Sequence, residues 1–264
     1  MRLAIEHETV YRYDTPVARS TQYLRLTPKS AGRLRVIDWQ LELPAPASRG
    51  IDAYGNVLHV LTLDMPHSEI RLRAAGTVET DDTPPQPEAD DGLPPAVFLR
   101  DSPLTLADAT LIGFVQDFAA AVAADRQAGL AALMQALAER MPYTPGHTDV
   151  ATSASEAFAS GRGVCQDHAH VLVACARLLG VPARYVSGYL ATDHDHVASH
   201  AWAEAWLGTG WLGYDVSNRC LAGGQHVKLA VGMDYLDACP VRGVRVGGGG
   251  EAMHAVAKVS AADQ

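Results

Sequence analysis

A chain of 264 residues, 48% hydrophobic and 19% charged, has the composition of an ordinary soluble globular protein and is long enough for one large domain or two modest ones. Its formal net charge of −9 argues against nonspecific nucleic-acid binding, because a phosphate backbone wants a basic face. No basic n-region leads into an apolar h-region and no apolar run approaches a membrane span, so neither export nor membrane contact is expected.

From Met1 to about Thr80 the pattern is β. Leu3, Ile5 and His7 alternate with Ala4, Glu6 and Glu8, and Asp14-Thr15-Pro16 reads as a turn. Further strands are predicted at Tyr23–Pro28, Leu34–Leu43, Val57–Leu63 and Ile70–Val78, with a turn at Asp52–Asn56. Such punctuation suggests a small antiparallel sandwich. Tyr11, Tyr13 and Tyr23 could form a recognition face, but cross-strand aromatic packing explains them more simply.

Asp81 to Pro95 is rich in prolines and acids that cannot build a core, and reads as an extended surface linker; a proline-rich docking motif is the sharper alternative. Helices follow. Thr105–Asp125 is rich in Ala, Leu and Phe, with Gly113 as its internal weak point. Leu130, Leu133, Met134, Leu137 and Met141 keep the spacing of one buried helical face, which Pro142 ends. Ser153-Ala154-Ser155-Glu156 has the form of a capping box and predicts a short helix to about Ser160.

Gly161-Arg162-Gly163 then releases the backbone just before Cys165. The apolar segment after it has no breaker until Gly180, which suits a helix C-cap, and Pro182 prevents resumption. Cys165 is thus expected at the first residue of a buried helix. The unpaired N–H groups and dipole there favour a thiolate, the nucleophilic form. A structural cysteine at a helix start is the plain alternative.

Ser199–Leu207 alternates strictly and reads as a strand, Gly208-Thr209-Gly210 as a turn and Trp211–Val216 as the returning strand. His200 and Asp215 then lie toward the same open end of one hairpin. A cysteine at a helix start, a histidine and a carboxylate are the parts of a thiolate–imidazolium pair with an orienting acid, which would accept from His200 Nδ1. The simplest register leaves His200 and Asp215 out of line, so a bulge or a different turn is expected. Trp202, Glu204 and Trp206 share the face of His200, as a cleft wall would, and Glu204 is the competing carboxylate. Beyond the hairpin, Val181–Leu190 is predicted as a strand, Leu221–His226 as a loop and Ala252–Val259 as a last strand.

The remaining chemistry-bearing residues read as packing or solvated groups. Cys175 falls inside the helix, while Cys220 and Cys239 lack an upstream helix start. With no CxxC spacing, reduced thiols in a cytoplasm are expected. Asp167 suits the helix's first turn, and His168 and His170 cannot share one helical face for chelation. Asp193-His194-Asp195-His196 is the one metal-like run, without the spacing of a recognisable site, so no functional metal is expected.

Gly163-Val-Cys-Gln-Asp-His-Ala-His170, Ser199-His-Ala-Trp-Ala-Glu204 and Gly213-Tyr-Asp-Val-Ser-Asn218 resemble the three motif blocks of the bacterial transglutaminase-like family, within the papain-like cysteine enzyme superfamily. The tail Gly232–Val244 is similar to a branch in which a small β-domain precedes the core. The resemblance implies an α+β fold: an antiparallel β-sandwich at 1–80, a linker at 81–100, and a catalytic domain at 101–264 with helices on an antiparallel sheet and a C-terminal strand. It implies acyl transfer by Cys165, His200 and Asp215 on peptide or glutamine-type amides, through a thioester released to water or to an amine. Hydrolysis is the expectation, since water needs no acceptor pocket. The oxyanion would meet the Cys165 N–H and a second donor, Gln166 or Tyr143, with Trp202 and Glu204 as further support candidates. The calcium sites of some transglutaminases map onto no acidic cluster here, so no cofactor is expected. The expected partner is a peptide or protein substrate; oligomeric state is open, and a noncatalytic binding module on the same fold is the remaining alternative.

Overall fold

Alternation from Leu3 is interrupted at Asp14-Thr15-Pro16 and resumes toward Leu24, and in the computed structural model, which describes residues 1–89, 92–191 and 199–262, the chain continues across the interruption as one long strand, β1 (Arg2–Leu24). The expected turn at Asp14–Pro16 is instead a bulge, where the pairing register of β1 shifts between Arg12 and Val17. Pro16 has no N–H to give a ladder, so a bulge is where a strand can tolerate it. Four more strands follow: β2 (Leu34–Glu42), β3 (Ala47–Ile51), β4 (Val57–Leu63) and β5 (His67–Thr80). β3 was not anticipated; its side chains are mostly exposed, so it carries no burial alternation.

The segment after Thr80 crosses the surface in extended form, and it is pinned. Glu88 exchanges backbone hydrogen bonds with Trp211 at 2.9 and 2.8 Å, and the Arg33 guanidinium donates to the carbonyls of Asp81, Thr83 and Pro84. The predicted helix at 105–125 divides into α1 (Ala109–Gln116) and α2 (Ala119–Ala124). The break falls at Asp117–Phe118 rather than at Gly113, where Phe118 turns onto Phe114, which itself packs on Phe158. α3 (Arg126–Arg140) is capped by Asp125 and buries Leu130, Leu133, Met134 and Leu137 as its spacing predicts. Each such side chain contributes roughly 2 kcal/mol. α4 (Ala154–Ser160) begins with the expected capping box, Ser153 with Glu156.

α5 (Cys165–Leu178) lies against a second antiparallel sheet built from β6 (Ala183–Leu190), β7 (Ser199–Trp206), β8 (Trp211–Asp215), β9 (Cys220–Leu221) and β10 (His226–Gly232), in the order β10-β6-β7-β8-β9. The core between helix and sheet joins Val171–Ala176 of α5 to Ala203, Ala205, Leu212 and Tyr214, with α3 and α4 closing it. β10 occupies part of what was expected to be coil, although Val227, Leu229 and Val231 do alternate. A short α6 (Tyr235–Ala238) leads to β11 (Val241–Gly247) and β12 (Glu251–Ala261).

These last two strands do not extend the second sheet. β12 pairs with the first half of β1, from Leu3↔Ala261 to Tyr13↔Glu251, and β11 with its second half. The first sheet therefore has seven strands, curled about the long β1. Chain from beyond the helices completes it, so a division near residue 80 leaves two of its strands behind. A second core, Leu3, Ile5 and Val78 against Tyr189, Val227 and Leu229, joins the two sheets. Among the described residues no helix is long and apolar enough to cross a membrane.

Candidate active site

Cys165 owes its position to the turn that precedes it. Gly161 closes α4 at φ +65, a left-handed conformation that favours glycine. At Gly163 a Cβ would lie 2.7 Å from the Asp167 carboxylate, so only glycine allows that approach. Asp167 is buried and accepts from the Val164 N–H and from Thr148 Oγ1, both at 2.7 Å. A carboxylate in the first turn complements the helix dipole and ties down a backbone N–H just before the helix. Cys165 follows as the first helical residue, half-buried, where the N–H groups of the first turn have no helical acceptor. Tyr143 is held alongside by a bridge to Gly163, near enough for Cys165 to act on its phenol. Burial first, and then the negative groups Cys165 and Asp167, raise the Tyr143 pKa.

Alternation along β7 turns Ala203 and Ala205 toward α5 and sends His200, Trp202 and Glu204 to the other side. The hairpin pairs Trp206 with Trp211 and Ala203 with Tyr214, which places His200 two residues beyond the position opposite Asp215. No bulge closes that offset. The contact is the diagonal one that strand pairs allow, within reach of a long side chain. His200 Nε2 meets Asp215 Oδ2 at 2.7 Å. The orienting acid is thus on Nε2, not on Nδ1 as expected, which leaves Nδ1 as the nitrogen available to Cys165.

The carboxylate of Asp215 is inaccessible to solvent and surrounded by donors. Besides His200, Oδ2 accepts from Asn218 Nδ2 at 2.7 Å and from His226 Nε2 at 3.0 Å, and Oδ1 from the Asn218 N–H at 3.1 Å. Burial alone would raise the Asp215 pKa, but these bonds hold it below the ordinary carboxylate range. For His200, burial works to lower the pKa; the bonds and charges of Asp215 and Cys165 outweigh it and carry it up to about 10. The buried Asp215 carboxylate therefore favours an imidazolium at His200.

The other sequence candidates separate clearly. The Gln166 amide reaches Val150 O at 3.4 Å, whereas Tyr143 is bridged to Gly163, two residues before Cys165. Trp202 is buried and stacked on His200 at 6.2 Å and 27°. Glu204 is taken up by Arg184 at 2.7 Å and by Lys228. Burial would raise its pKa, yet the two cations bring it down to about 2. Trp202 and Glu204 line a pocket of about 290 Å³ between the two sheets, with Arg33, Tyr54, Glu88 and His226. Burial raises the pKa of Cys175 strongly, that of Cys220 to about 11 and that of Cys239. His168 is structural, bonded to Met141 O and Ser217 Oγ, and His170 Nε2 accepts from the Tyr235 N–H. The Asp193–His196 run lies outside the described residues.

Sequence reasoning missed His226 and gave Asn218 no role. The alternation that begins at Val227 was the available signal, since it marks a strand starting beside β6. Donor atoms of His200, Asp215 and His226 lie within 4.8 Å of one another, close enough to hold a divalent ion, but both imidazoles are already hydrogen-bonded to Oδ2.

The chain matches two family models, that of the transglutaminase-like superfamily over residues 113–216 and that of the bacterial transglutaminase-like N-terminal region over residues 3–79. It is 33% identical to the uncharacterized protein ML0607 of Mycobacterium leprae, covering 98% of each chain. It is 32% identical to the uncharacterized protein Rv2569c of Mycobacterium tuberculosis, over 92% of this chain and 87% of that one. Among solved structures, that of a presumed cysteine protease from Cytophaga hutchinsonii superposes with a TM-score of 0.73 at 20% identity, over 100% of this chain and 91% of the other.

Proposed function

This chain belongs to the transglutaminase-like superfamily, and from that premise we propose that it is a cysteine-dependent acyl-transfer enzyme, a hydrolase of peptide or glutamine-type amide bonds. The observation that carries this is the His200–Asp215 pair, with the acid fully buried and Cys165 at a helix N-terminus acting on the same histidine. Cys165 as thiolate attacks the carbonyl carbon. His200, protonated, gives its Nδ1 proton to the leaving amine, and the thioester remains. His200 then takes a proton from water, whose oxygen attacks the thioester and releases the acid and the thiolate. Asp215 keeps the imidazolium oriented throughout. The oxyanion is met by the Cys165 N–H, and by Tyr143 as second donor, because its backbone is bridged to Gly163 beside Cys165 while the Gln166 amide is bonded to Val150 O.

Release to water is favoured because it requires no site for a second substrate. The test is intact-mass detection of a Cys165 adduct with a panel of glutaminyl peptides, with and without an added primary amine. Peptide cleavage or ammonia release alone supports the hydrolase. Incorporation of the amine would replace it with a transglutaminase. A thiol that alkylates no faster than free cysteine at any pH would leave a noncatalytic module.

A further inference from the structure

Resting on the Cys165–His200–Asp215 arrangement proposed above, we infer that His226 is a positioning residue, an Nε2-protonated imidazole that holds the Asp215 carboxylate in the orientation His200 requires. Its tautomer follows from its two bonds. Nδ1 accepts the Gly223 N–H at 3.2 Å, so the ring proton is on Nε2, and Nε2 lies 3.0 Å from Asp215 Oδ2. The same turn is closed by the His226 N–H on Gly223 O at 2.9 Å, so backbone and ring are fixed by one four-residue loop. Trp202 completes the clamp. The His226 ring meets it edge-on at 5.1 Å, and His200 stacks on it. The side chain is 5% exposed, so the ring is held by its neighbours rather than free in solvent.

The consequence is geometric. Asp215 Oδ2 has three side-chain donors, and those from β7 and β10 converge on it from neighbouring elements. Without the β10 donor Oδ2 keeps His200 and Asn218 but loses the hold from the far strand, so the carboxylate is free to rotate about its own axis and Oδ2 is less closely held against His200. A neutral donor also serves better than a second cation, because the full carboxylate charge then remains for the His200 imidazolium. The titratable groups around the pair are Cys165 and His168 from α5, Tyr143 from the loop before α4, Asp215 from β8, Cys220 from β9 opposite Asp215, and His226 itself.

The test reads the pH profile of Cys165 alkylation by iodoacetamide in the full chain carrying His226→Leu or His226→Gln, with His200→Ala as reference. Leucine should move the acid limb up by about one pH unit, a tenfold loss of rate there. Glutamine, whose Nε2 can donate from nearly the same place, should return the limb to the wild-type position. Superposition of His226→Leu on wild type, a downward shift, or failure of glutamine to do better than leucine in a folded protein would each overturn the assignment. Identical profiles for wild type and His200→Ala would instead show that the thiolate–imidazolium pair is absent, and the proposed function would fall first.

Discussion

The two sheets handle charge in opposite ways. On the first, Arg12–Glu69, Arg19–Asp64 and Arg73–Glu42 are ion pairs between side chains about two-fifths to two-thirds exposed. Water already solvates them, so their net contribution is small. On the second, Glu204 and Asp215 are buried, and each is enclosed by two or more donors. There a charge without its partners would be severely destabilising, and the partners therefore decide where chemistry is possible. Charge on the first sheet keeps its face wet; on the second it aims a histidine.

That contrast can be broken most directly at the sulfur. Cys165→Ala should abolish covalent adduct formation and turnover while changing stability by no more than about 1 kcal/mol, since a half-buried helix-start position tolerates alanine. Intact mass and thermal unfolding check both halves of that statement. Next in size is Asp215→Asn, which keeps the shape, removes the charge and permits the wrong imidazole tautomer. The rate should drop by orders of magnitude, up to roughly the 10⁴-fold seen when a serine-protease triad loses its acid. The alkylation profile should move upward in pH, because His200 is at about 10 through bonds and charges that include Asp215.

Glu204→Gln sharpens the comparison, for it removes a charge equally buried but not aimed at His200. It should cost on the order of 3 kcal/mol and leave the alkylation profile unmoved. Its pH dependence has a definite sign. The Glu204 pKa falls from 4.5 to about 2 on folding, so its stabilisation is present above 4.5 and lost as pH drops toward 2. Urea unfolding between those limits should show that slope in wild type and lose it in the variant. If Glu204→Gln shifts the alkylation profile and Asp215→Asn does not, the acid has been misassigned.

Smaller effects concern the first sheet. Protease cleavage between residues 81 and 95 should not release a free N-terminal fragment, because β11 and β12 remain paired to β1; gel filtration of nicked protein under native conditions checks this. Separation of the two pieces would restore the simple two-domain division. Smallest of all, Arg12→Ala should leave the melting temperature unchanged within error, as the pair with Glu69 is largely solvated.

Much of this site was legible in the residues because its signals are short-range. The Ser153 cap, the glycines at 161 and 163, the unbroken run to Gly180 and the alternation after Ser199 each act within a few residues, and each element lies where its pattern placed it. The family motifs pointed to the same fold, and the transglutaminase-like models match over both regions. The partners, by contrast, were not legible. Nothing in the alternation of β7 tells whether Glu204 or Asp215 faces His200, since the sequence lacks the strand register that makes Asp215 a diagonal neighbour and gives Glu204 to Arg184.

The sequence by itself determined where the helices and most strands begin, and that Cys165 starts α5, because caps, breakers and periodicity are local and act before any tertiary contact forms. Tertiary structure alone decided that β1 recruits its neighbours from the far end of the chain, that His200 turns Nε2 to the acid, and that His226 arrives as another donor. Strand pairing between distant segments depends on which edges are left unpaired and which apolar faces remain to be covered, and a donor reaches a buried carboxylate only when such pairing carries it there.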